Sequence, residues 1–352
     1  MYTSLVNVAD YAKASKNKLS SEVWDYVEGG AGRDWSVENN RNAFDKYKVM
    51  PRILNNVEGI NVETIIFGRK ISAPIIFAPT SPLKLFHEDA EVAVVKVSSR
   101  VNTVAICSTD SHFDLEHLSQ MSDNNLWFQL YCYGCKENAE SLIDRAQNAN
   151  YNALVVTVDA FFPPRRERMM RNHFKLPGDV KMGNLTQPML DGLPRRGDGS
   201  PIRHALTWQD ITWIKEQSRI PVILKGIMHK DDAIKAADLG VDGIVVSNHG
   251  GRQLDQMPAP IDCLQDISLA IGRDVEIFMD GGITNGIDVI KALALGAKAV
   301  LVGRPYIYGL SVQGQRGVEE IYNILKCELE DACAQLGISS ISNVNSTTLS
   351  II

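Results

Sequence analysis

Eight short runs along the chain are almost continuously apolar and rich in β-branched residues. They are Ala73–Thr80, Thr103–Thr109, Leu126–Tyr131, Ala153–Asp159, Pro221–Ile227, Gly243–His249, Val275–Gly281 and Ala299–Arg304. Each ends in polar or glycine residues. Such runs predict parallel strands buried on both faces, because a strand with one wet face would alternate. Between them lie stretches with helical periodicity: Glu88–Val101, Glu137–Asn150, Lys230–Leu239, Asn285–Leu295 and Val318–Leu336. Strand starts recur mostly about every 22 to 32 residues, the length of one β/α unit. Eight units predict an α/β fold, a (β/α)8 TIM barrel. An open doubly wound sheet would normally show G-x-G-x-x-G after an early strand, and none is present there.

Two segments break the period. Residues 1–70 come before the first strand, with helical stretches near Val8–Ala14, Ser21–Glu28 and Val37–Tyr47, and are expected to cap the barrel or cover its mouth. Residues 160–206 separate the fourth and fifth strands. Their Gly/Pro-rich, charged composition reads as a lid loop over the mouth, with a decorative insertion as the alternative. No composition shift marks a second domain, so residues 1–352 read as one.

The rest of the composition narrows the function classes. The chain has 352 residues, with 45% hydrophobic, 22% charged and a formal net charge of −6. That is ordinary globular composition and a poor match to a nucleic-acid binder. No apolar run approaches a membrane span, and the first twenty residues lack a secretory pattern. Six cysteines are too few for a disulfide scaffold, so a reducing cytoplasm is expected. The Cys132-x-x-Cys135 spacing has no second ligand pair, and no metal is expected.

In such a barrel the reactive groups stand at the C-terminal ends of the strands. Those ends deliver Ala78, Thr80 and Ser81; Ser108 and Thr109; Gln129 and Tyr131; Thr157 and Asp159; Lys225; Ser247, His249 and Arg252; Asp280 and Gly282; and Gly303 and Arg304. The glycines and Arg304 on the last two strands suit a phosphate, although a tight structural turn would look alike. Ser108 or Thr109, with Gln129, Thr157 and Lys225, could read the polar edge of a planar heterocycle. A structural ion pair is the alternative for Lys225. His249 is the natural base, Asp159 could hold its imidazolium, and Arg252 offers a fork for a carboxylate. Arg165 and Arg166 add positive charge after the fourth strand.

The run SNHGGRQLD, Ser247–Asp255, resembles the signature of the FMN-dependent α-hydroxy-acid oxidases and dehydrogenases, the family of glycolate oxidase, lactate oxidase and mandelate dehydrogenase. The resemblance continues through YVEGGAG, ENNRNAF, PRIL, FQLY, TVDA with RRE, LKGI, DGGI and KALALGAKAVLVGRP. The segment FHEDAE and the overall spacing look most like hydroxymandelate oxidase.

The resemblance implies oxidation of an L-2-hydroxy acid to a 2-oxo acid with FMN, and O2 or another acceptor taking the electrons. It implies His249 as base, Asp159 as its partner, and Arg166 and Arg252 on the substrate carboxylate with help from Tyr26. Tyr131 would bond the substrate hydroxyl. Ala78, Thr80, Gln129, Thr157, Lys225 and one of Ser108 or Thr109 would meet the ring. Ser247 would lie near the flavin chain, and Asp280, Gly282, Gly303 and Arg304 would hold its phosphate region. A homo-oligomer, a tetramer in this family, is implied as well. A carrier- or peptide-bound hydroxy acid is the rival substrate, and a non-catalytic scaffold the rival class. Three departures stand out. Thr284 replaces the usual Arg after D-G-G-[VI], Ser81 replaces a small apolar residue, and Phe161–Pro164 differ from the usual loop. Phe161 and Phe162 suggest an aromatic wall, hence a mandelate-like or longer aliphatic acid.

Overall fold

The computed structural model describes residues 5–122, 125–195, 202–272 and 275–351. Within the lid segment, residues 196–201 lie outside that description. All eight apolar runs form strands: β1 Ile75–Phe77, β2 Ala105–Ser108, β3 Leu126–Leu130, β4 Ala153–Thr157, β5 Val222–Ile227, β6 Gly243–Val246, β7 Glu276–Asp280 and β8 Ala299–Val302. They pair in parallel in sequence order, and β8 pairs with β1 to close the barrel. The strands are shorter than the sequence runs because the last one to three residues of most runs leave the ladder. Those residues turn over the rim and carry the polar groups.

Two apolar layers follow from burial on both strand faces. One fills the barrel and includes Ile76, Ile106, Trp127, Val155, Ile223, Val245, Phe278 and Leu301. The other lies between the strands and the surrounding helices, where Leu142, Ile214, Leu264, Val289 and Leu325 are buried. The helices form Ala90–Arg100, Lys136–Asn148, Lys230–Asp238 and Gly286–Ala294, close to expectation. The last one differs. It runs Arg304–Leu336 with a break at Gln313 and Gly314, so it begins directly at the end of β8. Its first part is apolar all round and gives no amphipathic period.

The segment before β1 does two jobs. An antiparallel hairpin, Thr64–Ile66 with Arg69–Ile71, plugs the floor of the barrel. Its turn residue Phe67 packs on Trp127 and Phe278, with ring centroids 5.7 and 6.3 Å away. The helices Ser21–Glu28 and Trp35–Asn42 lie at the opposite end and bring Tyr26, Asn40 and Arg41 to the mouth. The segment between β4 and β5 is not wholly irregular: it holds the short helices Glu167–Arg171 and Gln187–Asp191. No helix among the described residues is long and apolar enough to cross a membrane.

Candidate active site

The mouth of the barrel holds a cavity lined from every side. Of the residues expected at the site, Tyr26, Ala78, Thr80, Ser81, Ser108, Tyr131, Thr157, Arg166, Lys225, His249, Arg252, Asp280, Gly282, Gly303 and Arg304 line it. Gln129, Asp159 and Ser247 stand one layer behind. Thr109 is fully buried, its hydroxyl donates to Gln129 O at 2.7 Å and accepts from Tyr131 N at 3.0 Å, and it does not line this cavity. Ser108 is the member of that pair on the wall.

The loop after β6 is built to hold His249 out. His249 has φ +59°, a left-handed conformation that a side-chain-bearing residue adopts only under constraint. The constraint comes from the rest of the motif. Asn248 accepts from Gly251 N and exchanges two bonds with Asn40, at 2.8 and 2.7 Å. A Cβ on Gly251 would stand 2.7 Å from Val37 N, so only glycine lets helix Trp35–Asn42 approach. Asp255 fastens the same helix by accepting from Arg33 N and Ser36 N, each at 2.9 Å. The signature run thus holds the N-terminal segment against the mouth as well as supplying chemistry.

His249 Nδ1 lies 2.9 Å from Asp159 Oδ1, and Nε2 lies 3.5 Å from the Tyr131 hydroxyl. Burial lowers the His249 pKa below the usual histidine value, and Asp159 offsets this only in part. Burial pushes the Asp159 carboxyl up, but His249 and Lys225 outweigh it and leave Asp159 below its ordinary range. At neutral pH the pair is therefore a carboxylate and a neutral imidazole. The carboxylate accepts a hydrogen bond from Nδ1–H, which leaves the Nε2 lone pair facing Tyr131 and the cavity. Burial raises Tyr131 to about 12, so its phenol keeps its proton.

The cations divide into two kinds. Lys225 pairs with Asp280 at 3.0 Å and donates to Ser247 at 2.9 Å. Burial would lower its pKa, but Asp280 and Asp159 outweigh that, and it stays charged. Arg304 lies 3.9 Å from Glu28, which also meets Arg41 at 3.2 Å. Arg166 and Arg252 differ, because neither has a carboxylate partner among the described residues. Arg252 Nη1 donates to the carbonyls of Tyr26, Val27 and Gly29, and Arg166 Nε to Arg252 O at 3.4 Å. Burial lowers both pKa values, Arg252 strongly, and repulsion between the two adds to this for Arg252. Two uncompensated guanidiniums in a cavity are costly unless an anion arrives.

Several features fit a flavin mononucleotide. Gln129 Nε2 and Asp280 Oδ1 are buried without a partner. Gly282 lines the cavity and packs so tightly behind it that a Cβ would stand 2.1 Å from Asn40 O, so only glycine fits there. Lys225 would supply a fixed positive charge to a ring that gains electrons. Thr284 does not reach out as an Arg would. Its hydroxyl and its N–H both donate to Asp288, at 3.0 and 2.9 Å.

The expected aromatic wall does not form. Phe161 and Phe162 are about half exposed and line no part of the cavity. The loop turns at Pro163 and Pro164 and presents Pro164 instead. Three charged residues absent from the sequence-based set stand on the wall, Arg41, Asp110 and Arg203. Asp110 follows Thr109 directly, two residues past the end of β2. Arg203 lies where no periodicity points to it. Tyr26, Asn40 and Arg41 likewise precede the first strand, where no strand-end rule applies, and of these only Tyr26 was found, through the YVEGGAG resemblance. Among the described residues no cluster of His, Cys, Asp or Glu could hold a metal ion.

A family model described as FMN-dependent dehydrogenase matches residues 15–351. The chain is 38% identical over 358 residues to 2-hydroxyacid oxidase 1 of Mus musculus, covering 99% of this chain and 97% of that one. It is 38% identical over 359 residues to an L-lactate oxidase of Nostoc sp., covering 99% and 98%. A solved structure of mandelate oxidase with benzoyl-formic acid superposes with a TM-score of 0.91 at 36% identity, covering 99% and 98%.

Proposed function

Because the chain belongs to the family of FMN-dependent dehydrogenases, we propose that it oxidises an L-2-hydroxy acid to the 2-oxo acid, with O2 as the final electron acceptor. The relatives named as 2-hydroxyacid and L-lactate oxidases support that choice of acceptor. The observation that carries the reading is the pair Arg166 and Arg252, two guanidiniums without a counter-ion beside a neutral, carboxylate-backed histidine.

The conversion removes two electrons and two protons from the acid. When bound, FMN supplies the acceptor for both electrons and for the proton that His249 does not take. Arg166 and Arg252 hold the carboxylate, the planar fork suiting two oxygens at once. Tyr26 joins them by exchanging its 2.7 Å bond to the Ser81 carbonyl for one to the acid. Tyr131 donates to the substrate hydroxyl oxygen. His249 Nε2 takes a proton, from Cα or from the hydroxyl, and Asp159 stabilises the imidazolium that results. Ala78, Thr80, Ser108, Gln129, Thr157 and Lys225 would hold the ring. Ser247, acting through Lys225, and Asp280, Gly282, Gly303 and Arg304 would hold the chain and phosphate. We place the protein in the cytoplasm as a homo-oligomer and residues 1–352 in one domain.

The test is anaerobic mixing of the purified yellow protein with lactate, glycolate, mandelate and longer 2-hydroxy acids, followed by O2. Bleaching of the flavin and one H2O2 per acid consumed are expected. Absence of bleaching with every acid would overturn the assignment.

A further inference from the structure

Arg203 and Asp110 belong to neither the carboxylate fork nor the proton-handling pair, yet both line the cavity. Their side chains are only 19% and 13% exposed. Arg203 lies over the Tyr131 ring, with its guanidinium carbon 3.8 Å from the centroid. Its Nη2 donates to Asp110 Oδ2 at 2.9 Å, its Nε to the Tyr133 hydroxyl at 2.9 Å and its Nη1 to Ala160 O at 3.0 Å. Tyr133 in turn donates to Asp110 Oδ1 at 2.9 Å. A guanidinium has five N–H donors. Three are used here, so two have no partner among the described residues. Asp110 keeps lone pairs beyond the two bonds it accepts.

We propose that Arg203 and Asp110 select the variable group of the substrate, and that this group is an uncharged one able both to accept and to donate a hydrogen bond, such as a hydroxyl. The proposal rests on the 2-hydroxy-acid reading above. The charge arrangement decides between polar classes. Arg203 is already neutralised by Asp110, so a second carboxylate would gain little and would face the Asp110 carboxylate. An apolar group would leave two N–H donors and the carboxylate lone pairs desolvated without partners, which is the kind of mismatch that discriminates strongly. Ser81, whose hydroxyl donates to Asp110 O, extends the same polar strip.

Glycerate and 2-hydroxybutanoate test this directly, because they differ by a hydroxyl in place of a methyl. Stopped-flow reduction should favour L-glycerate over (S)-2-hydroxybutanoate by at least about tenfold in the apparent second-order constant. Malate should lie below glycerate. In Arg203→Met the glycerate preference should disappear or reverse. In Asp110→Asn, where the guanidinium loses its counter-ion, malate should gain relative to glycerate. Equal or faster reduction by 2-hydroxybutanoate in the unaltered protein would overturn the proposal, and that comparison needs no variant to fold. A preference that survived Arg203→Met in a flavin-containing protein would overturn it too. Failure of every acid to reduce the flavin would instead sink the functional reading on which the proposal stands.

Discussion

The neutral state of His249 sets how the reaction should respond to acid. As the proposed base, His249 works only when Nε2 is unprotonated, and burial holds its pKa below the ordinary histidine value near 6.5. Flavin reduction should therefore stay level through neutral pH and fall only as pH drops through a value below that figure. Asp159 raises the His249 pKa and stabilises the imidazolium. Asp159→Asn should move the fall to still lower pH and cut the plateau rate by at least about 10²-fold, within the usual worth of a positioned base. A pH series of stopped-flow reduction checks both. An Asp159→Asn protein with an unchanged plateau would show that the carboxylate does not support the base. Arg252→Lys should mainly weaken substrate capture, since an ammonium cannot reproduce the fork. Its limiting reduction rate should change less than its apparent affinity.

At the scale of elements, the floor hairpin and the rim are separable. Phe67→Ala removes a ring wedged against Trp127 and Phe278 at the end of the barrel away from His249. It should cost about 2 kcal/mol, below the figure for a fully buried Phe because Phe67 is half-buried. A lower urea midpoint with an unaltered reduction rate is the expected result, and a slowed reduction would refute the separation. That hairpin also marks where the sequence stopped being readable. The eight strands were legible because both faces are buried and each run is nearly all apolar. The hairpin strands have three residues each, too few for a period. The start of the last helix was hidden because Pro305–Val312 is buried all round. At the rim, the strand-end rule and the family resemblance named fifteen of the wall residues, but Asp110 and Arg203 are 93 positions apart and meet only in space. The aromatic wall failed for a related reason: nearness in sequence to Asp159 does not fix which way a loop faces.

At the scale of the whole molecule, several large apolar side chains among the described residues stand exposed, and three of them lie within five residues of one another. Met50, Ile53 and Leu54 are 50%, 81% and 98% exposed on the segment that leads from the N-terminal helices toward the barrel. Burial of such side chains between copies fits the expected homo-oligomer. Light scattering should return a multiple of the single-chain mass, and a monomer at micromolar concentration would refute that expectation.

The plugged floor has a kinetic consequence. With Phe67, Trp127 and Phe278 closing one end, the mouth is the passage through which acid enters, the oxo product leaves and the oxidant arrives. Traffic must then take turns. A fresh acid molecule that enters before reoxidation blocks the way for the oxidant, so steady-state turnover should pass through a maximum and decline at high acid concentration. The single-turnover reduction rate should rise to a plateau over the same range. Parallel measurement of the two curves distinguishes a shared doorway from separate ones, since separate doorways would leave both curves saturating alike.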